Sequence, residues 1–286
     1  QRQMCIRDRV WFAYAPLLVV IRQDLDIPKK GIWMSNVFNV AACVVARFVV
    51  GPLGDVYGSV KVQTALLGFC GICTFFAGFV NSLAELCLMR FLIGVGGATF
   101  VITQLWSSEM FAKNVVGAAN AMTGGWGNCG GGMAIMIMGY IYEGFRDEGL
   151  SQEQAWRRSF YIPAVAVMLV CVCMFFFSDE CPSGKLSDAL AAGKREKVTV
   201  KESTRGGFTN LNSWILFIQY ATCFGVELHV NNWAATYFKE VFEVSPTAAA
   251  NMASVFGWMN LFCRSVGGFF SDLGNKHYGM QGRMWA

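Results

Sequence analysis

RFVVGPLGD at residues 47–55 and RSVGGFFSD at residues 264–272 share one pattern, Arg-x3-Gly-x3-Asp, and each closes a long apolar run. The run before the first copy is FNVAACVVA at 38–46. A guanidinium inside an apolar helix is costly unless it faces a cavity or a partner. One such arginine would be an anomaly, whereas two at matching positions mark a duplicated element. The match extends upstream, where IRQDLDI (21–27) and FKEVFEV (238–244) precede the two runs in the same register. Two corresponding helices, one in each half of the chain, are therefore expected.

Composition fits that picture. The chain is 55% hydrophobic and only 15% charged, with a mean hydropathy of +0.42, so an all-α integral membrane protein in a lipid bilayer is expected. The formal net charge of +4 is small and scattered, which argues against nucleic acid as a partner. The eleven cysteines lie mostly in apolar runs, and the pair Cys70 and Cys73 sits inside ALLGFCGICTFFAGF. They read as small hydrophobes, and neither a metal site nor a cofactor is expected.

A bilayer core needs about 20 apolar residues in a helix. Runs near that length recur at about 32–54, 62–80, 84–109, 115–140, 157–178, 211–236 and 248–271, with a shorter one at about 10–21. Eight spans of a twelve-helix protein are expected, the first incomplete. Residues 1–9, QRQMCIRDR, lack a signal-peptide layout and read as a non-native leader. Residues 10–178 would form the first half with spans 1 to 6. Residues 179–210 carry both charge signs and few large apolar groups, so they read as a solvated linker, cytoplasmic by the positive-inside rule. Residues 211–286 would begin the second half with spans 7 and 8; the polar GNKHYGMQGRMWA follows with no further helix, so spans 9 to 12 would lie beyond it. Two repeated halves joined by a linker describe a secondary transporter of the cell membrane with its substrate held between them.

Helical rise places Arg47 about 12 Å from Asp55 and thus near the bilayer centre if Asp55 marks its edge. Arg264 stands in the same relation to Asp272. No carboxylate occurs within the apolar stretch of either helix, so both cations are expected to face one cavity. Two cations ~8 Å apart at an effective dielectric of ~20 repel by about 2 kcal/mol, while an anion ~4 Å from each gains about 4 kcal/mol from each. The fork of a guanidinium also suits a planar oxyanion. The fifth span holds TGGWGNCGGG at 123–132, with Gly124, Gly125, Gly127, Gly130, Gly131 and Gly132. Such glycines suit the close approach of another helix, and Asn128 among them needs partners at that depth. Arg90, at the start of the fourth span, reads as packing at the membrane edge.

GGWGNCGGG resembles the glycine signature of the nitrate/nitrite porter family in the major facilitator superfamily. RFLIGVGGATFV (90–101), YATCFGVELHVNN (220–232) and NLFCRSVGGFFSD (260–272) are similar to its eukaryotic and algal-type members. The resemblance covers residues 10–275. It implies a transporter of nitrate, and of nitrite, in which Arg47, Arg264 and Asn128 hold the anion and Phe100, Tyr220 and Phe224 clamp it between rings. Tyr220 and Phe224 are four residues apart and share a helix face. The endings with Gly51 and Asp55, and with Gly268 and Asp272, resemble the superfamily's loop motif and imply a gating role. Members are generally proton-coupled symporters, and Glu227 and His229 are the candidates for the titrating group, although anion exchange would need neither. An accessory subunit stays open.

Two other readings remain at this stage. A phosphate or organophosphate exchanger of the same superfamily can also use facing arginines, and a nitrate sensor could keep the fold without transport. An enzyme is not expected, since His229 and His277 cannot build a haem or di-metal pair and no nucleophile–base pair is visible.

Overall fold

The computed structural model describes residues 13–111, 115–180 and 199–285. The proposed leader at 1–9 and linker residues 181–198 lie outside these. The described residues form helices and no strands. After a short 3-10 turn at Ala15–Leu17 come α1 (Leu18–Asp24), α2 (Lys29–Tyr57), α3 (Ser59–Phe76), α4 (Leu83–Gly94) and α5 (Thr99–Met110). They are followed by α6 (Val116–Asp147), α7 (Gln152–Ser159), α8 (Tyr161–Phe177), α9 (Val200–Thr209), α10 (Leu211–Phe242) and α11 (Pro246–Trp285).

Local chemistry sets the boundaries. Gly58, at φ 94°, ends α2 in a conformation that suits glycine alone. Ser82 caps α4 by accepting from the Glu85 amide, and Ser151 with Gln154 forms a capping box on α7. The 3-10 turn Val95–Ala98 joins α4 to α5 in one long rod.

Four segments are long and apolar enough to cross a membrane: Lys29–Tyr57, Ser59–Phe79, Leu83–Met110 and Gln152–Phe177. Helices also stand at the other expected places. α6, α10 and α11 have 32, 32 and 40 residues, but their glycines, amides and charges keep them below that level of apolarity. Those same residues form the polar cluster described below.

Two local expectations need correction. α11 does not stop near residue 271 but runs on and turns at Gly279 (φ 60°, ψ −146°), which brings Arg283 Nη2 to 2.7 Å from Asp272 Oδ1. The end of the linker is helical, because Thr199 and Glu202 form a capping box that nucleates α9. α9 lies on α2, with the Phe208 ring stacked on Phe48 at 5.9 Å.

α3 packs on α8 and α2 on α4, and the most extensive helix pair is α6 with α11, which joins elements from before and after residues 181–198. The largest fully buried side chains include Trp156, Tyr14, Phe160, Leu67 and Leu86. Rings such as Phe175, Phe176 and Phe177 face outward, as expected of a surface that meets lipid rather than water.

Candidate functional site

The seam between α6 and α11 fixes the geometry of the site. A Cβ on Gly132 would lie 2.7 Å from the Ser254 carbonyl oxygen and 2.9 Å from Gly257 Cα. A Cβ on Gly125 would lie 2.9 Å from the Asn260 carbonyl oxygen. Glycine thus lets two backbones touch, and Gly124 leaves room beside the Arg264 guanidinium. Gly127, Gly130 and Gly131 are buried on the same helix.

With α11 held this close, Arg264 reaches a carboxylate. Its Nη2 donates to Glu227 Oε2 at 2.6 Å, and its Nε donates to Asn260 Oδ1 at 3.1 Å. The other Glu227 oxygen accepts from Asn128 Nδ2 at 2.6 Å. Asn128, Glu227 and Arg264 therefore form one chain across α6, α10 and α11. The expectation of two cations without a nearby carboxylate does not hold for Arg264: the partner comes from another helix, not from its own apolar stretch.

Arg47 has different company. Its Nη2 donates to the Gly97 carbonyl at 3.3 Å, and its guanidinium carbon lies 4.6 Å from the Phe224 ring centroid and 5.8 Å from that of Phe100. Its Nε is buried without a hydrogen-bond partner, and no acidic side chain pairs with it among the described residues. Tyr220 and Phe224 stack at 5.2 Å with planes 18° apart. Phe100 stacks on them at 6.3 and 6.4 Å. Glu227 follows Phe224 by three residues, about 4.5 Å along α10, so the aromatic group and the Asn128–Glu227–Arg264 chain lie at one level.

Arg47 also lines a cavity of about 380 Å³ that runs along α2 past Gly51 to Asp55 and is bordered by α9 and the start of α10. Asp55 Oδ2 accepts from the Ser203 hydroxyl of α9 at 2.6 Å. In the second copy of the repeat, Asp272 Oδ2 accepts from the Ala118 amide at 2.9 Å, so a carboxylate sits on the N-terminal turn of α6 where the helix dipole favours it. Gly268 packs against Ala121. Both aspartates thus tie neighbouring elements at the linker end of the bundle.

His229 is exposed and stacks on Trp33 at 5.9 Å, in a second cavity of about 450 Å³ that it shares with Asn36 and Asn232. It does not join Glu227. Arg90 is the residue that sequence reasoning misplaced. It is 1% exposed, its Nη2 donates to Asn232 Oδ1 at 3.3 Å, and its guanidinium lies 5.7 Å from the Tyr14 ring centroid. Helical spacing carried the signal, because the buried face of α4 is Leu86, Cys87, Arg90, Ile93 and Gly94. At the opposite end of the bundle from α9, Glu240 pairs with Arg22 at 2.9 Å and Lys29 at 3.0 Å.

A family model described as Major Facilitator Superfamily matches residues 6–285. High affinity nitrate transporter 2.5 of Arabidopsis thaliana is 36% identical over 275 residues, 96% of this chain and 55% of that protein. Nitrate/nitrite transporter NrtP of a Picosynechococcus strain is 25% identical over 358 residues, 95% of this chain and 67% of that protein. The chain spans about half the length of the curated relatives it matches. Among solved structures, a bacterial homolog of the human lysosomal transporter Spinster superposes with a TM-score of 0.63 at 16% identity, over 96% of this chain and 60% of that one. That likeness concerns the fold.

Proposed function

This chain belongs to the major facilitator superfamily, and from that premise we propose that the complete protein carries nitrate, with nitrite as a second substrate, across the membrane by alternating access coupled to protons. The names of the nitrate transporters it resembles support the substrate. The observation that carries the reading is the placing of Arg47 against the Phe100 and Phe224 rings, on both of which Tyr220 stacks.

Nitrate is flat, singly charged and weakly hydrated. A flat anion suits a slot between parallel rings, and the edge of a guanidinium offers two parallel donors in its plane. The unpartnered Arg47 Nε supplies one of those donors. Rings around the cation exclude water and so strengthen its attraction for an anion. A phosphate dianion would demand more positive charge than this site has, since Glu227 already offsets Arg264.

Proton coupling follows from the same carboxylate. While Glu227 is ionised it holds the Nη2 donor of Arg264 and offsets its charge. A proton on Glu227 removes that charge and frees the guanidinium for nitrate, so anion and proton bind together and the site's net charge is unchanged. With the linker side cytoplasmic, the cavity from Arg47 to Asp55 is the inward exit. The paired Arg22, Lys29 and Glu240 then close the outer side.

The test is uptake of labelled nitrate by cells making the complete gene product, with Arg47→Lys and Arg264→Lys as separate variants. Each lysine keeps the charge and loses the fork, so uptake per surface molecule should fall at least about tenfold, the worth of one lost charge-assisted hydrogen bond. Wild-type uptake in both variants would sink the reading. A preference for phosphate over nitrate would replace it with the exchanger reading.

A further inference from the structure

Arg90 is a permanent cation with one long hydrogen bond, an aromatic neighbour and a buried Nη1 that has no partner. No acidic side chain pairs with it among the described residues. Burying a guanidinium without a counter-charge is strongly unfavourable, and apolar packing would be served better by leucine. Its place in the fold suggests what repays that cost. α4 belongs to the first half and Asn232, on α10, to the second, so the contact bridges the two halves. Asn232 also faces the cavity of about 450 Å³ lined by Trp33, Asn36, His229 and Trp233. The amide is held in place by its own Nδ2, which donates to the Leu228 carbonyl at 2.9 Å. Along α10, Asn232 lies eight residues beyond Phe224, about 12 Å toward the end marked by Glu240.

We infer that Arg90 and Asn232 form a second anion site, about 12 Å outward from the Arg47 clamp, which receives a small monovalent anion before the central site does. The inference rests on the proposed direction and substrate of transport. When the outer side opens, Asn232 moves away with its half, and the Arg90 fork is left facing the cavity. An incoming anion then meets a desolvated cation with free donors and passes on to Arg47 as the halves close. A neutral amide at position 232 is what such a site needs, because it holds the guanidinium in the closed form without neutralising it. A carboxylate there would neutralise the guanidinium in the closed form and, by holding the two elements together, oppose the opening that exposes the fork.

The test uses the complete transporter in cells, with uptake of labelled nitrate normalised to surface protein, and three variants: Arg90→Gln, Arg90→Lys and Asn232→Asp. Arg90→Gln and Asn232→Asp should each raise the KM for external nitrate about tenfold with little change in the maximal rate, and Arg90→Lys should restore much of the difference. Asn232→Asp keeps the arginine and gives it a partner, so it decides the matter even if Arg90→Gln fails to reach the membrane. An unchanged KM in Asn232→Asp overturns the inference, as does a loss of maximal rate and thermal stability with no change in KM, which is the mark of a packing role. In parallel, bromide should quench the tryptophan fluorescence of the purified wild-type protein saturably and that of Asn232→Asp only collisionally, since Trp33 and Trp233 border the cavity. This arm stands if the protein moves no nitrate, which would fail the transport reading alone; equal saturable quenching in both would overturn the anion site itself.

Discussion

Between Asn128 and Arg264 the Glu227 carboxylate accepts two hydrogen bonds of 2.6 Å. A glutamine at this position keeps the shape and loses the charge, so it mimics the protonated acid. Glu227→Gln should therefore bind nitrate at least as tightly as wild type and exchange it across the membrane. It should lose the rise in uptake with external acid that proton coupling through Glu227 requires of the wild-type protein. Uptake measured across a series of external pH values checks this; a variant that keeps the wild-type pH profile rules Glu227 out as the coupling group. The two arginines were legible in the sequence because they repeat at one spacing. The partner of Arg264 was not, because a carboxylate 37 positions earlier is brought near only by packing of α10 on α11. Arg90 was legible and missed: its spacing from Leu86, Cys87, Ile93 and Gly94 places it on the inner face of α4.

The glycines of α6 act at the scale of the helix pair. Only those on the face toward α11 hold the two backbones together, and the positions separate cleanly. A Cβ on Gly132 would meet backbone atoms of Ser254 and Gly257, whereas one on Gly144 would meet nothing within 4 Å. Gly132→Leu should force the helices apart, at a cost of about 1–3 kcal/mol or more, and displace Arg264 from Glu227. Nitrate uptake should be lost and the melting temperature lowered. Gly144→Leu should change neither, and uptake per surface molecule in the two variants checks the contrast. The sequence disclosed a close-packed helix here but not which glycines face the partner, since six within ten positions cover every side of a helix. α9 shows the opposite case: Thr199 and Glu202 carry a capping-box pattern, but the surrounding charge made the segment read as solvated chain. Its Ser203 hydroxyl then found Asp55 on α2. Ser203→Ala should loosen that brace and leave nitrate affinity unchanged, which binding to the purified protein would verify.

At the scale of the whole molecule, the helices before and after residues 181–198 are tied differently at the two ends of the bundle. Toward the linker, Asp55 ties α9 to α2 beside the cavity of about 380 Å³, and Asp272 holds the start of α6. At the far end, Glu240 of the second half holds Arg22 and Lys29 of the first. These three groups lie beyond the apolar stretches of their helices, and only the partnership, not its members, was hidden in the sequence. Burial acts to raise the Glu240 carboxyl, but hydrogen bonds from Lys29 and Arg22 and their charges outweigh it and hold the group below its usual value. The closed arrangement, which has the lowered value, is therefore favoured at neutral pH. It weakens only as pH falls through that lowered value, below the ordinary range for a glutamate of about 4.3. Between about pH 5 and 7 the latch stays ionised, so it supplies no proton dependence there. Glu240→Gln, by contrast, removes the charge at every pH and should favour opening of the outer side. A cysteine placed at Trp33 in a background without other reactive thiols should then be labelled faster by a membrane-impermeant maleimide, with the same rate at pH 7 and pH 5.5, both above the carboxylate range. Arg22→Glu should do the same by repulsion, and joining it to Glu240→Arg, with Lys29→Glu to keep the second pair, should return the slow labelling of the wild-type protein. If the paired reversal labels as fast as either single change, the ion pair does not hold the outer side closed.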